Sequence, residues 1–139
     1  MTADDVTRDL ESIASTGDFA AKSADLVERW SASGAGVEMV EPILQFMAKH
    51  PSIEYGVPGP LVHFVERFHG KGYQEKLVDS VERTPTFSTI WMLNRVLNGT
   101  KVPETRHFLI AVMEKARRSP VADTNTLQLI DRFLGRVSK

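Results

Sequence analysis

The chain has 139 residues, 42% of them hydrophobic and 25% charged, which is the composition of an ordinary water-exposed globule rather than of a disordered or fibrous chain. There is no cysteine, so disulfides, thiolate metal sites and cysteine nucleophiles are excluded. No apolar run approaches the ~20 residues of a membrane span. The acidic start, Thr2-Ala3-Asp4-Asp5, lacks the apolar segment of a secretory signal, and a cytoplasmic location is expected. The net charge of −1 is unevenly spread: residues 1–100 hold 9 Lys/Arg against 14 Asp/Glu, and residues 101–139 hold 8 against 4. Such an imbalance is either chance variation or an acidic end that meets a basic partner.

Apolar spacing predicts eight helices in chain order. The first covers residues 2–15 (Val6, Leu10, Ile13), and Ser15-Thr16-Gly17-Asp18 breaks it. The second, 18–33, carries Phe19, Leu26, Val27 and Trp30 and stops at a Gly-rich turn. The third, 37–49, places Val40, Ile43, Leu44 and Met47 on one side, with Pro42 early enough to be tolerated. Then comes Tyr55-Gly56-Val57-Pro58-Gly59-Pro60, a stiff turn in which glycines reach unusual angles and prolines fix φ before a fourth helix at 59–69. A fifth is expected at 73–83, and a sixth from Thr86, a good N-cap, to Asn98. Pro103 opens a seventh to Arg118, and Asp123 or Thr124 starts an eighth ending near Val137. Short connections predict antiparallel pairs, four hairpins in one domain spanning 1–139.

The even-numbered helices share a pentad: Leu26-Val27-Glu28-Arg29-Trp30, Phe64-Val65-Glu66-Arg67-Phe68, Met92-Leu93-Asn94-Arg95-Val96 and Leu129-Ile130-Asp131-Arg132-Phe133. The steps between them are 38, 28 and 37 residues, two of them near the two-helix period of HEAT-like units. An all-α, HEAT-like right-handed superhelix is therefore expected. The apolar pentad positions, among them Val65, Phe68, Leu93, Val96, Ile130 and Phe133, should be core. The polar ones should line up as a stripe, including His63, Glu66 and Arg67, then Trp91, Asn94 and Arg95. That stripe is either a set of acid–Arg pairs joining repeats or a recognition surface, where Trp and Arg are favoured anchors. Trp91 is correspondingly either a plug at the core's edge or an anchor.

Catalytic patterns are missing. His63 and Glu66 stand at i, i+3, but no second motif completes a metal site, and no nucleophile–base signature surrounds Ser80, Ser88 or Thr89. The Gly56/Gly59 turn lacks the lysine and preceding strand of a phosphate loop, although its amides could face an anion. The basic C-terminal set, Lys115, Arg117, Arg118, Arg132, Arg136 and Lys139, is outweighed by the acidic remainder, so nucleic acid is an unfavoured partner. No cofactor and no metal is expected.

Tyr55-Gly56-Val57-Pro58-Gly59-Pro60-Leu61-Val62-His63 with Glu66, followed by Thr89-Ile90-Trp91-Met92-Leu93-Asn94-Arg95, resembles small bacterial immunity proteins of polymorphic-toxin and contact-dependent-inhibition systems. The likeness covers about residues 37–100. It implies a cytosolic, non-enzymatic protein that neutralises one cognate toxin by masking its active site. A basic, nuclease-like toxin would suit the acidic N-terminal side, and His63, Glu66, Arg67, Trp91, Asn94 and Arg95 are the candidate partner-binding residues. The alternative is a general protein-interaction adaptor on the same scaffold.

Overall fold

A computed structural model describes residues 2–56 and 58–137. Val57 of the expected turn and Lys139 of the basic C-terminal set lie outside the described residues. The elements are α1 (Ala3–Ile13), α2 (Phe19–Ala32), a 3-10 turn (Val37–Met39), α3 (Val40–Lys49), α4 (Pro60–Glu66), α5 (Tyr73–Arg83), α6 (Phe87–Asn98), α7 (Pro103–Ala116) and α8 (Thr124–Val137). Among the described residues the fold is all-α, with eight α-helices and no strand. The chain forms two compact units, residues 1–76 and 77–139, with the boundary inside α5.

In the first unit α1 packs on α3, α2 packs on α4, and α1 and α2 form a hairpin. Odd helices thus stack on odd and even on even, as in stacked helical hairpins, where each repeat buries its apolar face against the next. Trp30 of α2 is fully buried and meets Phe64 of α4 edge-on at 5.8 Å between ring centres. Its indole N–H donates to Asp9 Oδ2 on α1 at 2.9 Å, which satisfies a polar group that burial would otherwise strand. A second aromatic group forms where the α1–α2 and α3–α4 connections meet. Phe19 stacks on Phe46 at 5.8 Å and takes Tyr55 edge-on at 5.3 Å. The Tyr55 hydroxyl donates to the His50 carbonyl at 2.7 Å, and burial pushes its pKa above the usual tyrosine range. In the second unit α6 packs on α8 and on α7, and α7 and α8 form a hairpin around Ile90, Leu93, Leu109, Met113, Ile130 and Phe133.

Helix starts follow the side chains available. Thr2 and Asp5 form a reciprocal capping box at α1, and Thr86 and Thr89 form another at α6. Asp123 Oδ1 accepts from the Thr126 amide at 2.8 Å ahead of α8, and these hydrogen bonds from Thr126 hold the Asp123 carboxyl below its ordinary pKa.

The turn before α4 adopts the strained geometry its glycines allow: φ is +103° at Gly56 and +90° at Gly59, with Pro60 at the first position of α4. The far end of α4 differs from expectation. The helix stops at Glu66 instead of continuing to 69, and the amides of Arg67, Phe68 and His69 bond three residues back, to Phe64, Val65 and Glu66. This tighter winding turns Phe68 off the core stripe. Of the six core positions drawn from the pentads, Val65, Leu93, Val96, Ile130 and Phe133 are buried, whereas Phe68 is only half-buried. The second correction concerns α3, whose expected first turn is a separate 3-10 segment, Val37–Met39.

Candidate interaction surface

The six candidate residues fall into two groups, one in each unit. His63, Glu66 and Arg67 belong to the first unit, at α4 and its end; Trp91, Asn94 and Arg95 belong to the second, on α6.

On α4, burial of Leu61, Phe64 and Val65 turns His63 outward, with 64% of its side chain exposed. Its Nδ1 lies 3.8 Å from Glu66 Oε1, and the Glu66 side chain is 22% exposed. Arg67 lies over the Phe64 ring, with Cζ 5.3 Å from the ring centre, and donates to Ser31 Oγ of α2 at 3.0 Å. The pentad arginine therefore reaches back across the repeat to the preceding even helix. Among the described residues no group of three or more His, Asp or Glu side chains is arranged to hold a metal ion.

On α6, the buried face (Ile90, Met92, Leu93, Val96, Leu97) sets the opposite face outward. Trp91, Asn94 and Arg95 are half-buried there. The Arg95 guanidinium lies over the Trp91 ring, with Cζ 5.5 Å from its centre, a cation–π arrangement that holds both side chains. Phe87, one turn before Trp91, is 45% exposed. The pentad pattern does not single out Phe87, although its position directly after the N-cap Thr86 and four residues before Trp91 puts it on this face.

Ion pairs join neighbouring odd-numbered helices. On the odd-numbered helices, Glu11 of α1 meets His50 Nε2 at 2.8 Å and Lys49 Nζ at 3.6 Å at the end of α3. Glu41 of α3 meets Lys76 of α5 at 3.8 Å, and Glu82 of α5 meets Lys115 of α7 at 3.2 Å. The hydrogen bond from His50 keeps the Glu11 carboxyl below its ordinary pKa. On the even helices Arg67 donates to Ser31, and the Arg67 and Arg95 guanidiniums lie over the Phe64 and Trp91 rings.

Charge divides along the same boundary as the units. Residues 1–76 hold 7 Lys/Arg and 12 Asp/Glu, and residues 77–139 hold 10 and 6. Among the described residues no helix is long and apolar enough to cross a membrane. Comparison with protein-family models, curated proteins and solved structures finds no match to this chain.

Proposed function

We propose that this is a non-enzymatic binding protein that neutralises a cognate bacterial toxin domain in the cytosol by covering its active site. The observation that supports this reading most is the half-exposed Trp91–Arg95 pair on the outward face of α6. A tryptophan left half in water lacks its full burial energy, and Trp and Arg are the residues that most often anchor protein interfaces. His63 and Arg67 add a separate exposed polar group in the first unit. The acidic balance of residues 1–76 would attract a basic toxin, such as a nuclease that must itself bind phosphate.

The test is co-expression with the product of the adjacent upstream reading frame, followed by titration calorimetry of the purified pair. The expected result is rescue of growth and a tight complex, with Trp91→Ala/Arg95→Ala weakening it by more than ~1 kcal/mol per side chain. Full binding by a folded double variant would move the interface off α6. A folded parent that neither binds nor rescues would end the toxin reading.

A further inference from the structure

We infer that the outward face of α7 pairs with the same face of a second copy of this chain, the two helices running antiparallel; this is independent of the toxin reading. The first observation is an aromatic side chain left in water. α7 packs on α6 and α8 and buries Leu109, Val112, Met113 and Ala116. Phe108, in the middle of the helix, is 52% exposed, and Ala111, one turn on, is exposed as well. The other exposed large apolar side chains among the described residues stand at the first position of α6 (Phe87) or in connections (Val102, Val121). Phe108 is the one in the body of a helix, where successive turns offer a partner helix a continuous surface.

The second observation is the charge on either side of that apolar pair. Glu104, Phe108, Ala111 and Lys115 follow one another at steps of four, three and four residues. At 3.6 residues per turn these positions fall within about 60° of arc, and all four residues are exposed. Alternating steps of three and four are the spacing of a helix–helix seam. The stripe reads acid, apolar, apolar, base, and its spacing is the same from either end. A two-fold axis midway between Phe108 and Ala111 therefore sets each Phe108 against the other copy's Ala111. It also sets each Glu104 beside the other copy's Lys115, the reciprocity of a closed dimer. A parallel pair would instead set Glu104 against Glu104 and Lys115 against Lys115, which like charges oppose. Glu104 has no hydrogen bond or ion pair among the described residues. Lys115 meets Glu82 of α5 at 3.2 Å, yet its side chain stays 66% exposed and its ammonium carries three donors, so it can reach both carboxylates. One helix per copy gives less than the ~800 Å² per partner of a standard interface, so the dimer is weak and forms at high protein concentration.

Sedimentation equilibrium of the full chain from micromolar to millimolar concentration tests this. The average mass is expected to rise with concentration from the 15.5 kDa of one chain toward twice that value. Phe108→Asp should weaken association on the order of tenfold, as for loss of an interface anchor. Glu104→Lys and Lys115→Glu should each weaken it severalfold, because each sets like charges opposite one another in its own dimer. An equimolar mixture of those two variants should associate nearly as the parent does, since opposite charges again meet at both ends of the seam. Ala111→Glu, which leaves the Glu82–Lys115 pair in place, should weaken association as well. All four positions are exposed, and circular dichroism checks that the variants fold. A parent that stays monomeric at millimolar concentration overturns the inference. So does a folded Phe108→Asp variant that associates like the parent, or a mixture no stronger than the single variants. Growth of the mass beyond two chains would mean an open, head-to-tail contact and would overturn it too.

Discussion

Two positions show how single residues govern this chain. At Gly59, φ is +90°, and a methyl group there would overlap the carbonyl oxygen of Tyr55. Gly59→Ala therefore meets both an unfavourable backbone region and a backbone atom that cannot rotate away. It is expected to destabilise the protein by more than ~1 kcal/mol, read as a lower melting temperature. An unchanged melt would show that the turn relaxes at no cost. Glu11 is the second case. The hydrogen bond from His50 lowers its pKa in the folded state, with Lys49 adding to the effect. A group lowered in this way contributes stability above its unfolded pKa and loses it as pH falls through the folded value. Chemical denaturation from neutral pH downward should show the parent losing stability below the ordinary glutamate range. Glu11→Gln should show a shallower acid slope and lower stability at neutral pH. Identical acid slopes would remove Glu11 from the account.

At the scale of elements, α4 is informative because it is short. Its seven residues cannot hold a helix by backbone bonds alone, so packing against α2 must do it. Phe64 is buried against Trp30, while Phe68 sits in the tightened turn with its ring centre 5.5 Å from that of Phe64. Phe64→Ala should cost ~3–5 kcal/mol, as for other large-to-small changes at closed core sites. Phe68→Ala should cost clearly less, because part of its surface already meets water. Urea denaturation of the two variants checks the order, and equal losses would mean that Phe68 is core after all. The glycines that follow, Gly70 at φ +80° and Gly72 at φ +109°, adopt backbone angles outside the helical range and close the turn before α5.

For the whole molecule, the relevant quantity is the division of charge: an excess of five acids in residues 1–76 and of four bases in residues 77–139. A basic partner approaching the first unit should associate quickly at low salt and more slowly as salt rises, since screening shortens the reach of the field. Asp25→Lys/Glu28→Lys, at exposed positions on α2, should lower the association rate and flatten its salt dependence with little change in melting temperature. Stopped-flow measurement at several salt concentrations decides this. A rate insensitive to both salt and charge reversal would point to a partner held by apolar contact alone.

The helices themselves are legible in the sequence because a 3.6-residue apolar period needs only local information, and because the starts at Thr86 and Asp123 carry their own capping side chains. The left-handed angles at Gly56 and Gly59 are legible for the same reason. The pentads mark five of six core positions correctly. Phe68 fails because a periodicity argument assumes a continuous helix, and α4 winds more tightly after Glu66. The pairing of charges also lies beyond the sequence. Glu11 is 39 residues from His50, and Glu82 is 33 from Lys115. Their meeting depends on which helices stack, which only burial of the apolar faces decides. Tertiary packing likewise decides the exposure of Phe87, which no pentad marks: the neighbouring helices take up the other face of α6.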